Sequence, residues 1–195
     1  SGKIEITRFK GLGEISPGEF KDFISNKSAK QIFHPRIIQS LHFENIRNEM
    51  YEDSIEGITP RKKIRIRNYP NDENSSLFLE YKISSVEGRF KTRKIIDNEN
   101  FNKIKRVGIH DNQYGLCKPL IYVIYRREYY RIRDMRISID KDIKYSLYTG
   151  KSLGNERSSI VEIKASINKD MDDLVSEFPF QRTRFSKYCN GFEKI

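Results

Sequence analysis

Tryptophan is absent from this 195-residue chain, cysteine occurs only as Cys117 and Cys189, and histidine only as His34, His42 and His110. The two cysteines stand far apart without C-x-x-C spacing, which argues against zinc and against a disulfide framework. The histidines show no ligand spacing, and His34, just before Pro35, reads as a loop residue. No Ser/His/Asp set, P-loop or G-x-G-x-x-G occurs, so phosphate bound here would not rest on a helix N-terminus. No run is long and apolar enough to cross a membrane, and no secretory leader is present; the expectation is a cytoplasmic protein. Internal repeats and low-complexity tracts are also lacking, and the length fits a single domain over residues 1–195.

What the chain has instead is charge. Charged residues make up 33% and hydrophobic ones 36%, with a formal net charge of +10 and a pI near 9.5. That balance points to an anionic partner: nucleic acid, a membrane surface or a phosphorylated small molecule. The 37 basic residues are interspersed with 27 acidic ones, which excludes a simple basic tail. A core is available from 12 Phe and 11 Tyr. A barrel with a charged interior would reconcile this polarity with a folded domain.

The placement of the charge says more than its amount. In PRKKIRIRNYP (60–70), Arg61, Lys63, Arg65 and Arg67 occupy alternate positions, which on a strand line one face. Similar faces recur: Glu80 with Lys82; Arg89, Lys91 and Arg93; Tyr125 with Arg127; Arg136, Ser138 and Asp140; Glu162 with Lys164. Like charges crowded on one face repel, so the pattern implies a closed sheet around a polyanion and its metal. Strands are expected at residues 3–10, 36–44, 61–69, 77–83, 89–96, 120–127, 128–140, 143–149 and 159–165. Gly11-Leu12-Gly13 reads as a break after the first, Asp140-Lys141-Asp142 as a turn, and 150–158 as a loop. Helices are expected at 17–26, opened by a capping box of Ser16 and Glu19 around Pro17, and at 98–106 and 168–177. Shorter ones are expected near 45–53 and 183–192. The fold class is α+β, mainly β.

Arginine suits phosphate because its planar fork donates two parallel hydrogen bonds. The lysines of the two E-x-K pairs can bind phosphate while Glu80, Glu162 and Asp140 hold Mg²⁺ or Mn²⁺, hard cations that take oxygen ligands. Each E-x-K taken singly reads as an ion pair across a strand face. The basic strand alone also fits a solvated face or a nucleic-acid patch.

The segments FHPRIIQSLHFEN (33–45), EGITPRKKIRIRNYP (56–70), LEYK (79–82), GRFKTRK (88–94), YRREYY (125–130), MRISID (135–140), VEIK (161–164) and FSKYCNG (185–191) occur in this order. Together they resemble the VTC domain, the polyphosphate polymerase type of the triphosphate tunnel metalloenzymes. The resemblance implies an eight-stranded antiparallel tunnel barrel with a few flanking helices. It implies phosphate ligands at Arg65, Arg67, Lys82, Arg127, Arg136 and Lys187, further substrate contacts at Lys10, Lys63, Lys91, Arg93 and Ser186, and metal binding at Glu162 with Glu80 as helper. The family's first strand reads R-x-E-x-K, whereas the best match here, Ile6-x-Arg8-x-Lys10, puts Arg8 at the glutamate position. Residues 5–20 also resemble a short segment of bacterial type II topoisomerase ATPase subunits. The acidic metal motif expected upstream is absent and nothing downstream fits, so that likeness reads as chance or a local junction.

The resemblance implies transfer of the ATP γ-phosphate to polyphosphate with Mn²⁺ or Mg²⁺. Two alternatives stay open beside it: hydrolysis of an inorganic or nucleoside triphosphate, and polyphosphate binding without turnover. Specific nucleic-acid binding ranks last, because aromatics such as Phe90 lie opposite charged positions and read as core rather than as stacking platforms. The chain has no transmembrane segment of its own, which leaves room for a membrane partner.

Overall fold

The alternation of side chains builds one antiparallel sheet. The computed structural model describes residues 9–26, 29–73, 75–164 and 183–195. In chain order the elements are β1 (Phe9–Ile15), α1 (Pro17–Asn26), β2 (Lys30–Asn45), α2 (Glu49–Glu56), β3 (Arg61–Asn68), β4 (Leu77–Ser84), β5 (Arg89–Ile96), α3 (Asn98–Val107), β6 (Ile109–Asp111), β7 (Gly115–Ile132), β8 (Met135–Leu147), β9 (Ser152–Asn155), β10 (Ser159–Lys164) and α4 (Lys187–Phe192). Eight strands follow the order β1-β10-β8-β7-β2-β3-β4-β5, with β6 added beside β7 and β9 beside β8. The architecture is the mainly antiparallel tunnel expected from the sequence. Its strand path stays open, because β1 and β5 form no ladder with each other among the described residues.

The sheet is curled. β10 and β4 stand five strand spacings apart, about 24 Å if the sheet were flat. Yet Glu162 on β10 and Lys82 on β4 each feel the other's charge, so the faces that carry them turn toward a common lumen.

The two faces divide the side chains by polarity. Outside, Phe20 and Phe23 of α1 pack on Met135, Ile137, Ile139, Val161 and Ile163. Ser16 and Glu19 set where that helix begins: Ser16 N–H donates to Glu19 Oε2 at 3.1 Å and Glu19 N–H donates to Ser16 Oγ at 3.3 Å. Each buried phenylalanine contributes roughly 1.5–3 kcal/mol, so the apolar face rather than the cap holds α1 in place. Elsewhere on the outside, Phe101 and Ile104 of α3 join Leu41, Phe43, Met50, Ile64 and Ile66. On the inside, one end of the lumen is apolar: Ile121, Val123, Ile143, Tyr145 and Ile160 pack against Tyr188 and Cys189 of α4.

Several boundaries differ from the sequence reading. β7 runs unbroken through residues 127–128, and its turn into β8 falls at Arg133 and Asp134, with Arg133 at φ 51°. Asp142 does take a left-handed backbone, φ 54°, but as an extra residue in β8 where Ile124 pairs Lys144 and Arg126 pairs Lys141. The turn-prone D-K-D therefore makes a β-bulge. Gly11-Leu12-Gly13 continues β1 instead of ending it, which an edge strand tolerates. Residues 152–155, read as loop, form β9. The helix expected at 168–177 and the first-strand position Arg8 lie outside the described residues.

Candidate active site in the tunnel

Register decides which charges meet. Across β3, β4 and β5 the pairing sets Lys63 beside Lys82 beside Lys91, and in the next row Arg65 beside Glu80 beside Arg93. Glu80 is fully buried. Its Oε2 accepts from Arg65 Nε at 2.7 Å and Nη2 at 2.6 Å, and its Oε1 lies 2.6 Å from Lys91 Nζ and 3.2 Å from Arg93 Nε. Burial alone would raise its pKa; Arg65, then Arg67 and Lys91, outweigh burial and hold the carboxyl far below its ordinary range. Glu80 thus neutralises its own row, and a metal at Glu80 would compete with these cations for both oxygens.

The lysine row has no such counterion. Lys63 donates to Ser186 Oγ at 2.9 Å, and burial lowers its pKa. Lys82 reaches water yet is ringed by protein: Arg65 first, then burial and Arg67, push its ammonium well below the usual lysine range. Water-filled space lined by crowded cations is what an anion would fill.

Facing these rows across the lumen is a second set. Arg127 on β7 grips Asp140 on β8 through Nε–Oδ1 at 2.6 Å and Nη2–Oδ2 at 2.7 Å, the bidentate fork that gives such pairs their strength. Lys187 of α4 adds a contact to Asp140 Oδ2 at 2.6 Å. Against burial, Arg127 and Lys187 depress the Asp140 carboxyl strongly. Arg67 bridges the two sets, donating to Ser40 Oγ at 3.0 Å and to Tyr125 OH at 3.1 Å.

Glu162 differs from both other carboxylates. Its nearest cations are Arg127 Nη2 at 3.5 Å and Lys164 Nζ at 3.6 Å. Burial raises its pKa, but Arg127 and Lys164 outweigh that and keep it ionised. Its oxygens therefore stay open to a further ligand. Among the described residues no group of three or more His, Cys, Asp or Glu side chains could hold a metal ion. One open carboxylate fits a divalent cation that takes most of its ligands from substrate phosphates and water, as Mg²⁺ commonly does.

The structure thus gathers Lys63, Arg65, Arg67, Lys82, Lys91, Arg93, Arg127, Ser186, Lys187, Glu80 and Glu162 around one lumen. Arg136 sits farther along the same face of β8, exposed, where it pairs with Arg131 and Lys164. Lys10 falls at the register shift of β1 between Phe9 and Gly11, and its side chain lies outside the described residues. Sequence reasoning missed Ser40, His42 and Glu44, which alternate along β2 in IIQSLHFE and are all buried. His42 pairs with Arg65 and stacks on Tyr188 with ring centroids 5.2 Å apart. Burial, then Arg65, Arg67, Lys63 and Lys82, hold its imidazole neutral. Glu44 accepts from the backbone N–H of Met50 at 3.2 Å and of Tyr51 at 2.9 Å, opening α2, and from the Tyr188 hydroxyl of α4. The alternation was the signal available for all three.

A curled antiparallel sheet with cations on its concave face defines a triphosphate tunnel protein, and solved structures agree with that fold. The PH1819 protein of Pyrococcus horikoshii superposes with a TM-score of 0.63 at 16% identity, covering 96% of this chain and 99% of its own. A Bacillus halodurans protein described as an adenylate cyclase candidate gives 0.62 at 13% identity, with 94% of each chain covered. A Hippeastrum adenylyl cyclase candidate described as having a dominant triphosphatase activity gives 0.58 at 14%, with 93% of each covered. The chain belongs to the VTC domain family, whose model matches residues 22–195. Separately, a 29-residue stretch is 69% identical to part of the Borreliella burgdorferi DNA topoisomerase 4, in keeping with the likeness of residues 5–20. That match takes in 15% of this chain and 5% of the topoisomerase chain, too little to carry a functional argument.

Proposed function

We propose that this chain is a metal-dependent polyphosphate polymerase, transferring the γ-phosphate of ATP to the end of a polyphosphate chain inside the tunnel. The observation that supports it most is the surplus of inward cations over carboxylates, with Lys82 suppressed by Arg65 until an anion arrives. Arg65, Arg67 and Lys82 would hold the triphosphate from one wall, and Arg127, Lys187 and Ser186 from the other. Lys63, Lys91 and Arg93 would extend the track, with Arg136, Lys164 and Lys10 nearer its rim. A terminal phosphate oxygen of the chain attacks the γ-phosphorus, the bond from that phosphorus to the β–γ bridging oxygen breaks, and ADP leaves. Little covalent work falls to the protein, which aligns the phosphates and offsets charge as it shifts to the leaving oxygen. Glu162 would hold a Mn²⁺ or Mg²⁺ ion, which supplies neutralisation of the phosphoryl oxygens when bound. The description of the Hippeastrum neighbour favours a second reading, in which water replaces the chain end and the products are phosphate and a diphosphate.

The test is incubation of purified protein with ATP and Mn²⁺ or Mg²⁺, with products resolved on a gel and by free-phosphate assay. Long polyphosphate with ADP is the expected result. Free phosphate alone would establish the hydrolase. Tight polyphosphate binding without turnover would leave a binding module, and absence of both binding and turnover would refute the tunnel reading. Glu162→Gln should lose the response to the divalent ion while still binding polyphosphate.

A further inference from the structure

At the end of the lumen away from α4, each wall changes character within one step. On β3 the cation Arg67 is followed two residues on by Tyr69; on β7 Arg127 is followed by Tyr129; on β4 Glu80 is preceded by Phe78. Residues two apart on a strand share a face and stand about 7 Å apart, so these aromatics form the next ring outward from the phosphate-binding cations. They converge. Tyr69 and Phe78 meet edge to face with centroids 6.1 Å apart, and Phe33 meets Tyr129 the same way at 5.6 Å. Tyr129 also lies within electrostatic reach of Tyr69 and Arg36 across the opening.

Two arginines interleave with the rings. The Arg93 guanidinium lies 3.5 Å from the Phe78 centroid and donates to Tyr69 OH at 2.9 Å, and Arg36 lies 5.8 Å from the Tyr69 centroid. This brace fixes the orientation of Tyr69 and Phe78 but does not cover the collar. Phe33 remains 53% exposed and Ile95, next to Phe78 on β5, 64% exposed. Aromatic faces alternating with arginine planes are the surface on which bases stack. A free inorganic triphosphate has nothing to offer such a collar. A nucleotide whose phosphates sit among Arg67, Arg127 and Lys82 carries its base outward by a ribose and one phosphate, a span comparable to that single strand step.

We propose that Phe33, Tyr69, Phe78 and Tyr129 form a nucleobase platform at the mouth of the tunnel, which selects a nucleoside triphosphate over inorganic triphosphate. The proposal rests on the phosphate-binding reading above and adds the substrate class and the end of the tunnel it occupies. The base binds by stacking, so purine triphosphates, with the larger ring, bind more tightly than pyrimidine ones.

Equilibrium binding of ATP and of inorganic tripolyphosphate to the full chain, compared across wild type, Phe33→Ala and Tyr69→Ala, tests this. ATP affinity should fall roughly tenfold, the effect of losing one base–aromatic stack, while tripolyphosphate affinity stays within twofold and doubles as the folding control. In the wild type, photo-crosslinking with 8-azido-ATP should label peptides containing these aromatics. Equal losses for both ligands, no loss for either, or crosslinks confined to the α4 end would overturn the platform while leaving phosphate binding intact. Failure of the wild type to bind either ligand would overturn the tunnel reading and the platform with it.

Discussion

Glu80→Gln isolates the part of the tunnel that the protein must neutralise for itself. The substitution keeps shape and removes one negative charge from the centre of the Arg65–Glu80–Arg93 row. The Arg65 and Glu80 side chains are 9% and 0% exposed, and leaving one member of such a buried pair uncompensated costs about 3–5 kcal/mol. Lys91 and Arg93 are 43% and 38% exposed at their side chains; water screens them, and each adds at most about 1 kcal/mol. The amide oxygen of Gln still accepts one hydrogen bond, so a net loss of about 3 kcal/mol is expected. In urea denaturation this lowers the midpoint by roughly 1.5 M for an m-value of about 2 kcal/mol/M.

Two further readouts separate a counterion from a packing residue. Glu80 titrates below its ordinary range in the folded chain. Its stabilising contribution is therefore present above the unfolded value of about 4.3 and lost as pH falls toward the folded one. The wild type should lose stability on that acid limb, and Glu80→Gln should lose less. Saturating polyphosphate, supplying the missing negative charge, should stabilise the variant more than the wild type. A loss under about 1 kcal/mol, an unchanged acid limb and equal rescue would refute the assignment of Glu80 as internal counterion.

Other perturbations follow from single contacts. Gly191 of α4 has no room for a side chain: a Cβ there would sit 2.6 Å from Tyr145 Cδ1 and 2.9 Å from Ile121 Cδ1. Gly191→Ala should cost about 1–3 kcal/mol, read as a lowered thermal midpoint, and wild-type stability would count against α4 as the seal of that end. His42 is held neutral by burial and then by four cations, so the unfolded chain binds a proton that the folded one refuses. Stability should fall as pH drops through about 6.5, and His42→Gln should flatten that slope in denaturation midpoints measured across the range.

Alternation is a local property, and it was readable wherever strands stayed regular. Arg61, Lys63, Arg65 and Arg67 on one face and Ile64 and Ile66 on the other followed from the two-residue period alone, as did the capping box that starts α1. Local turn chemistry was a weaker guide. Asp140-Lys141-Asp142 has the composition of a turn, but β7 lies alongside and supplies hydrogen-bond partners on both sides, so the extra residue is absorbed as a bulge. Gly11-Leu12-Gly13 likewise stays extended because β10 pairs with it.

The sequence by itself determined that this chain makes a mainly antiparallel sheet with cations in rows, because strand periodicity is written in neighbouring residues. Only the tertiary structure decided which rows meet and what each carboxylate is for. Nothing in the two E-x-K motifs distinguishes Glu80, clamped by three cations, from Glu162, left open at 3.5 Å and beyond. That difference arises from strand register and from the curl that brings β10 opposite β4. Both are set by packing between residues far apart in the chain, where no local pattern reaches.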